Sequence, residues 1–132
     1  MSRLRFALLL LPFTVLTMAF RQAPLVNPPP IAITSKISAD NVLKSIKMAL
    51  VHRGWTITAV KAGEVDSTLH LRDHIARIVI DYDTTHVQIK YVDSTNLKYE
   101  VKNGTPYIHK NYLSWIENLV NDIQGNLMLL GS

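Results

Sequence analysis

Five histidines, His52, His70, His74, His86 and His109, are the side chains in this sequence best suited to chemistry. A metal site needs several such ligands converging on one point. Counted along alternating strands, His70 and Arg72 fall on one face of a sheet, His86 reaches that face from another strand, and His74 sits at the hairpin between them. The spacing is compatible with a two- or three-histidine cluster, which makes a metal-binding protein one reading of the chain. Neither a His-Glu-x-x-His helix nor a carboxylate at a fixed offset accompanies the histidines. Solvated surface imidazoles are the competing reading.

Other chemistries find less material. The 132 residues contain no cysteine, which removes disulfides, thiol catalysis and thiolate metal ligation together. Ser67, Ser94 and Ser114 stand in no Gly-x-Ser-x-Gly elbow. Asp81, Asp83 and Asp93 fall near strand ends, where short acids serve turns. With only five glycines there is no glycine-rich loop to cradle a phosphate before a helix. The expectation is a protein that is not an enzyme and carries no cofactor.

Charge gives little direction. The formal net charge is +4, but Arg3 and Arg5 belong to an acid-free N-terminal segment; without them 12 basic residues face 10 acidic ones. Lysines and arginines are scattered singly, without the basic stripe and interleaved aromatics of a nucleic-acid surface, so no nucleic-acid partner is expected. An apolar fraction of 48% marks a chain that folds around a core.

The first thirty residues set the compartment. A short basic start precedes an apolar run over residues 6–19, the layout of a secretory signal. The run is short for a membrane span of about 20 residues, and Pro12 interrupts it. Thr17 and Ala19 place small residues where a signal peptidase reads, giving cleavage before Phe20; an uncleaved anchor helix is the alternative, and with it the only membrane contact expected. Residues 20–30, with four prolines, then read as a spacer, either a stiff stand-off or an ordinary mobile start. The organisation expected is therefore a signal segment (1–19), a proline-rich spacer (20–30) and one domain (31–132), exported to the periplasm.

The elements that position the polar residues follow from hydrophobic period. Residues 31–33 suit a short edge strand. Ser38 is a natural N-cap for a helix over residues 39–53, in which Val42, Leu43, Ile46, Ala49 and Leu50 share a face and Gly54 ends the run. Period-2 segments follow at residues 55–60, 68–72, 75–82 and 86–92, with turns at residues 61–64 and 83–85. Short links between four such strands favour an antiparallel meander, because parallel pairing needs long crossovers. A longer connection over residues 93–107 contains the turn pair Asn103-Gly104. Tyr112, Trp115, Ile116, Leu119, Val120 and Ile123 then mark a second amphipathic helix over residues 109–124. The apolar tail from Leu127 to Leu130 either extends that helix over the core or forms an exposed contact surface.

The fold class expected is α+β, an antiparallel four-stranded meander with one helix before and one after, in the order β-α-β-β-β-β-α. A sheet with one apolar face and two amphipathic helices implies that both helices cover that face, with Trp55 and Trp115 in the shared core, and leave the other face to solvent. The open face is then the candidate docking surface, with His70, Arg72, Arg77 and Lys90 as partner-binding residues. The Tyr/Asn-rich connection adds Asn96, Tyr99 and Asn111, a composition found at recognition surfaces.

Arg53-Gly54-Trp55, the stretch YVDSTNL at residues 91–97 and IHKNYLSWIENLVNDI at residues 108–123 resemble a family of small bacterial envelope lipoproteins without assigned function. The likeness spans residues 31–124. It implies periplasmic placement, usually by a lipid anchor, but Phe20 stands where that family has its lipidated cysteine. On this reading the chain is a non-catalytic envelope accessory or binding module, with an envelope protein or cell-wall component as partner. A periplasmic immunity protein or inhibitor is a further reading.

Overall fold

The computed structural model describes residues 21–131. The signal segment and its cleavage site before Phe20 lie outside the described residues. Among these residues the chain is an α+β protein with two helices and two antiparallel sheets. The larger sheet has five strands in the order β2 (Ile31–Ala32), β6 (His86–Thr95), β5 (His74–Tyr82), β4 (Glu64–Leu71) and β3 (Thr56–Lys61). A smaller sheet sets β8 (Thr105–His109) between β1 (Gln22–Pro24) and β7 (Glu100–Lys102).

Helix α1 (Ala39–His52) begins where the Ser38 hydroxyl accepts the Asn41 N–H at 3.2 Å, and Gly54 follows it with φ +81°. Helix α2 (Lys110–Leu130) runs six residues past the end expected from its period, so the apolar tail continues the helix. Only Leu127 of that tail is buried; Met128 and Leu129 are each 81% exposed. The tail thus extends the helix and covers the core through Leu127, while Met128 and Leu129 face outward.

The core sits between the two helices and one face of the larger sheet. Val42, Ile46 and Leu50 of α1 and Leu119 and Ile123 of α2 pack with Val65, Ile78, Ile80, Val87 and Ile89. Each such side chain contributes about 1.5–3 kcal/mol on burial. Trp55 is buried among them, while Trp115 is half-buried at the margin. The helices also bond each other: Asn126 Nδ2 donates to the Ser45 carbonyl at 3.0 Å, and Arg53 Nε meets Asp122 Oδ2 at 2.7 Å. Both therefore lie on one side of the sheet.

Three features depart from the sequence expectation. The turn before β4 is only Ala62-Gly63, so Glu64 to Asp66 belong to the strand. The connection over residues 93–107 is mostly strand: β6 continues to Thr95, and β7 and β8 form a hairpin in which Asn103 (φ +51°) and Gly104 (φ +79°) make the turn. The proline-rich stretch is bound to the domain. Residues 22–24 pair with β8, the Asn27 side chain accepts the Tyr91 N–H at 3.0 Å, and Gln88 Nε2 donates to the Pro28 carbonyl at 2.8 Å. Prolines suit this sheet-edge position because they present no N–H to a further strand.

Candidate functional site

Register sets the open face of the larger sheet. Opposed residues share a face, so Thr68, Arg77 and Asp93 form one cross-strand row; Ala59, Asp66, Val79 and Lys90 form the next; Glu64, Asp81 and Gln88 form a third. These rows alternate with the buried ones. A bulge in β6 helps: Ile78 opposes Tyr91 and Arg77 opposes Asp93, leaving Val92 as the extra residue. The bulge returns Asp93 to the open face opposite Arg77.

Ion pairs tie β5 to β6 across this face. Arg77 Nη1 lies 2.9 Å from Asp93 Oδ1, and Lys90 Nζ lies 2.6 Å from Asp81 Oδ2. At such exposed positions each pair adds about 0–1 kcal/mol, so they fix side-chain position more than they stabilise the sheet. On β5 Val79 lies between the pairs, and across Asp66 of β4 the row ends at Ala59 of β3; both are half-buried. Asp66 shares their row, and its Oδ1 is shielded from solvent without a hydrogen-bond partner. A carboxylate oxygen in that state is uncommon among buried polar atoms. The face thus sets half-buried Val79 among ion-paired and acidic side chains.

Of the residues singled out by sequence, Arg77 and Lys90 take the central positions. His70 lies on the same face in the row with Ile75 and Thr95. Arg72 does not join them. It occupies the two-residue turn between β4 and β5 at φ +57°, because β4 stops at Leu71.

The three histidines are not brought together. His74 falls on the helix side, 6.4 Å from the Trp115 ring centroid, with Nδ1 2.6 Å from the Asn96 carbonyl. His86 is at the opposite end of the sheet, where Nδ1 meets Thr85 Oγ1 at 2.8 Å. No group of three His, Asp or Glu side chains among the described residues is arranged to hold a metal. The metal-site arrangement expected of His70, His74 and His86 is corrected accordingly.

Asn96, Tyr99 and Asn111 lie at the seam between the two sheets. Asn96, at φ +58°, donates from Nδ2 to the Asp73 carbonyl at 2.9 Å and so pins the loop to the β4–β5 turn. Tyr99 stacks on Tyr91 at 5.5 Å, and Tyr91 meets Tyr112 edge-on at 5.5 Å. Burial raises the phenol pKa of both Tyr91 and Tyr112, most strongly at Tyr112. Asn111 donates its backbone N–H to His109 Nδ1 at 3.0 Å. This seam is a structural joint whose Tyr91 faces the helix side of the sheet, not the open face.

Sequence reasoning missed Asp66 and Asp93 as members of the face. Alternation with Val65 was the available signal for Asp66, and the bulge at Val92 obscured it for Asp93. Comparison with known protein families, with curated proteins and with solved structures finds no match. No helix among the described residues is long and apolar enough to cross a membrane.

Proposed function

We propose that the chain is an exported, non-catalytic accessory or binding module of the cell envelope, which docks a protein or cell-wall component on the open face of its larger sheet. One observation carries this reading: on the open face the Arg77–Asp93 and Lys90–Asp81 pairs hold charged side chains on either side of half-buried Val79. Charged pairs around a half-buried side chain give a docked partner orientation and specificity. Export rests on the basic start and apolar run of residues 1–19.

The test is capture from an envelope fraction by the unaltered chain and by Arg77→Glu/Lys90→Glu. Both side chains are about half exposed, so the variant keeps its fold and its circular dichroism. Loss of the captured component from the double variant alone supports the reading. Equal capture by both chains contradicts it.

A further inference from the structure

The smaller sheet carries a charged surface independent of the open face of the larger one. It gathers Arg21, Lys98, Lys102 and Lys110, all exposed, from three separate stretches of chain. The bonds that place them are direct. The Arg21 carbonyl accepts the Lys110 N–H at 3.0 Å, Gln22 Nε2 donates to the Lys98 carbonyl at 2.7 Å, and Lys102 Nζ donates to Gln22 Oε1 at 3.1 Å. His109 lies among them, its imidazole held below the ordinary range by burial first and then by the charges of Lys98, His74 and Arg21. Acids offset part of this charge. Glu100, 3.1 Å from Lys102, is the single acid in the three strands, and Asp73 stands 3.7 Å from His74. Arg21 and Lys98 make no ion pair among the described residues.

Connectivity says what this end of the molecule meets. After the apolar run of residues 6–19 comes Phe20 alone before Arg21, and Gln22 is already paired with His109 in the smaller sheet. One residue spans about 3.5 Å of chain. While the run is attached, the basic end therefore lies within a few ångströms of whatever the run enters. The run is short of the roughly 20 residues that span a bilayer, and a marginal apolar anchor holds firmly when a basic patch stands beside it.

We propose that this end docks on the anionic headgroups of a phospholipid bilayer, with Arg21, Lys98, Lys102 and Lys110 set against lipid phosphates. Charge complementarity and the point at which residues 6–19 join the domain select the same partner. With the run attached, both signals act together. After cleavage before Phe20 the charges alone give a weaker contact that salt screens.

Cosedimentation of the full chain with vesicles of phosphatidylglycerol and phosphatidylcholine, and of phosphatidylcholine alone, tests the proposal. A basic side chain near an anionic surface strengthens binding about fivefold. Lys98→Glu/Lys110→Glu therefore lowers binding to the anionic vesicles at least about tenfold and leaves binding to the neutral ones unchanged. Both positions are exposed, and an acid at the start of α2 suits the helix dipole, so the fold is kept. Lys44→Glu/Lys47→Glu makes the same charge change on α1 beside Asn126, about 24 Å along α2 from Lys110, and leaves binding unaltered.

A second readout locates the contact without relying on affinity. The chain has no cysteine, so Thr105→Cys and Lys44→Cys each carry a single fluorophore. Thr105 pairs with Lys102 across the β7–β8 hairpin. Headgroup-spin-labelled lipid in anionic vesicles quenches the probe at position 105 and spares the one at position 44. Indifference to Lys98→Glu/Lys110→Glu, an equal loss from the two charge reversals, or quenching at 105 no greater than at 44 overturns the proposal. So does capture of an acidic protein by these residues without vesicle binding.

Discussion

His109 Nδ1 accepts the backbone N–H of Asn111 at 3.0 Å, so the residue that opens α2 is a titratable base at the positive end of a helix dipole. Burial first, then the positive charges of Lys98, His74 and Arg21, hold its imidazole below the ordinary range. Lys110 follows it directly in the first turn. Protonation would place a proton on the accepting nitrogen and a further positive charge in this group.

The sign of the pH effect follows from linkage. With the folded-state pKa lowered, the unfolded chain binds the proton first as pH falls, so stability is full above the ordinary value of 6.5 and declines until the folded-state value is passed. Denaturation midpoints should therefore drop between pH 7 and pH 5. In His109→Asp, which keeps an acceptor at the cap and adds a favourable charge, the histidine contribution to that slope should vanish. Stability near neutral pH should rise by about 0.3–1 kcal/mol.

Arg53 and Asp122 join the helices with two hydrogen bonds, of 2.7 and 3.0 Å. The bond from Arg53 is the main cause that holds the Asp122 carboxyl below the usual carboxylate range. The stability it contributes is present above the ordinary pKa and is lost as pH falls through the lowered one. Asp122→Asn should reduce the acid-limb slope of thermal unfolding measured at pH 2–5, with little change at pH 7, since exposed pairs contribute little.

Neighbouring residues of β5 should respond very differently to truncation. Ile78 is 1% exposed against the helices, and Ile78→Ala should cost about 2–5 kcal/mol in urea unfolding. Val79 points to the open face, and Val79→Ala should cost about 1 kcal/mol or less. Comparable losses at the two positions would mean that both faces of the sheet are covered.

Gly104 occupies the hairpin turn at φ +79° with open space around the position of a Cβ. Gly104→Ala should therefore destabilise by backbone strain alone, about 1–2 kcal/mol, readable as a lower urea midpoint at unchanged slope.

The helices and the central meander were legible because their periods are long and their punctuation is local: Ser38 and Gly54 bound α1, Asn103-Gly104 marks a tight turn, and Tyr112 to Ile123 repeats one face. β1 and β7 were not, since three residues carry no readable alternation and their pairing with β8 is a tertiary event. The histidine placement failed for a related reason. A strand pattern fixes faces only if the turn is located, and the break at Arg72-Asp73 puts His74 on the helix side. Within the open face, Arg77 and Lys90 were readable from period alone, whereas the bulge at Val92 that restores Asp93 leaves no mark in the sequence.

The central claim is that the sheet face opposite the helices is the one that meets a partner, and site-specific photocrosslinking in the intact cell tests it most directly. A photoreactive residue at position 90 should give an adduct with an envelope protein or cell-wall fragment, while the same residue at position 44 should not give that adduct. Crosslinking to such a component from position 44, with none from position 90, would contradict the account.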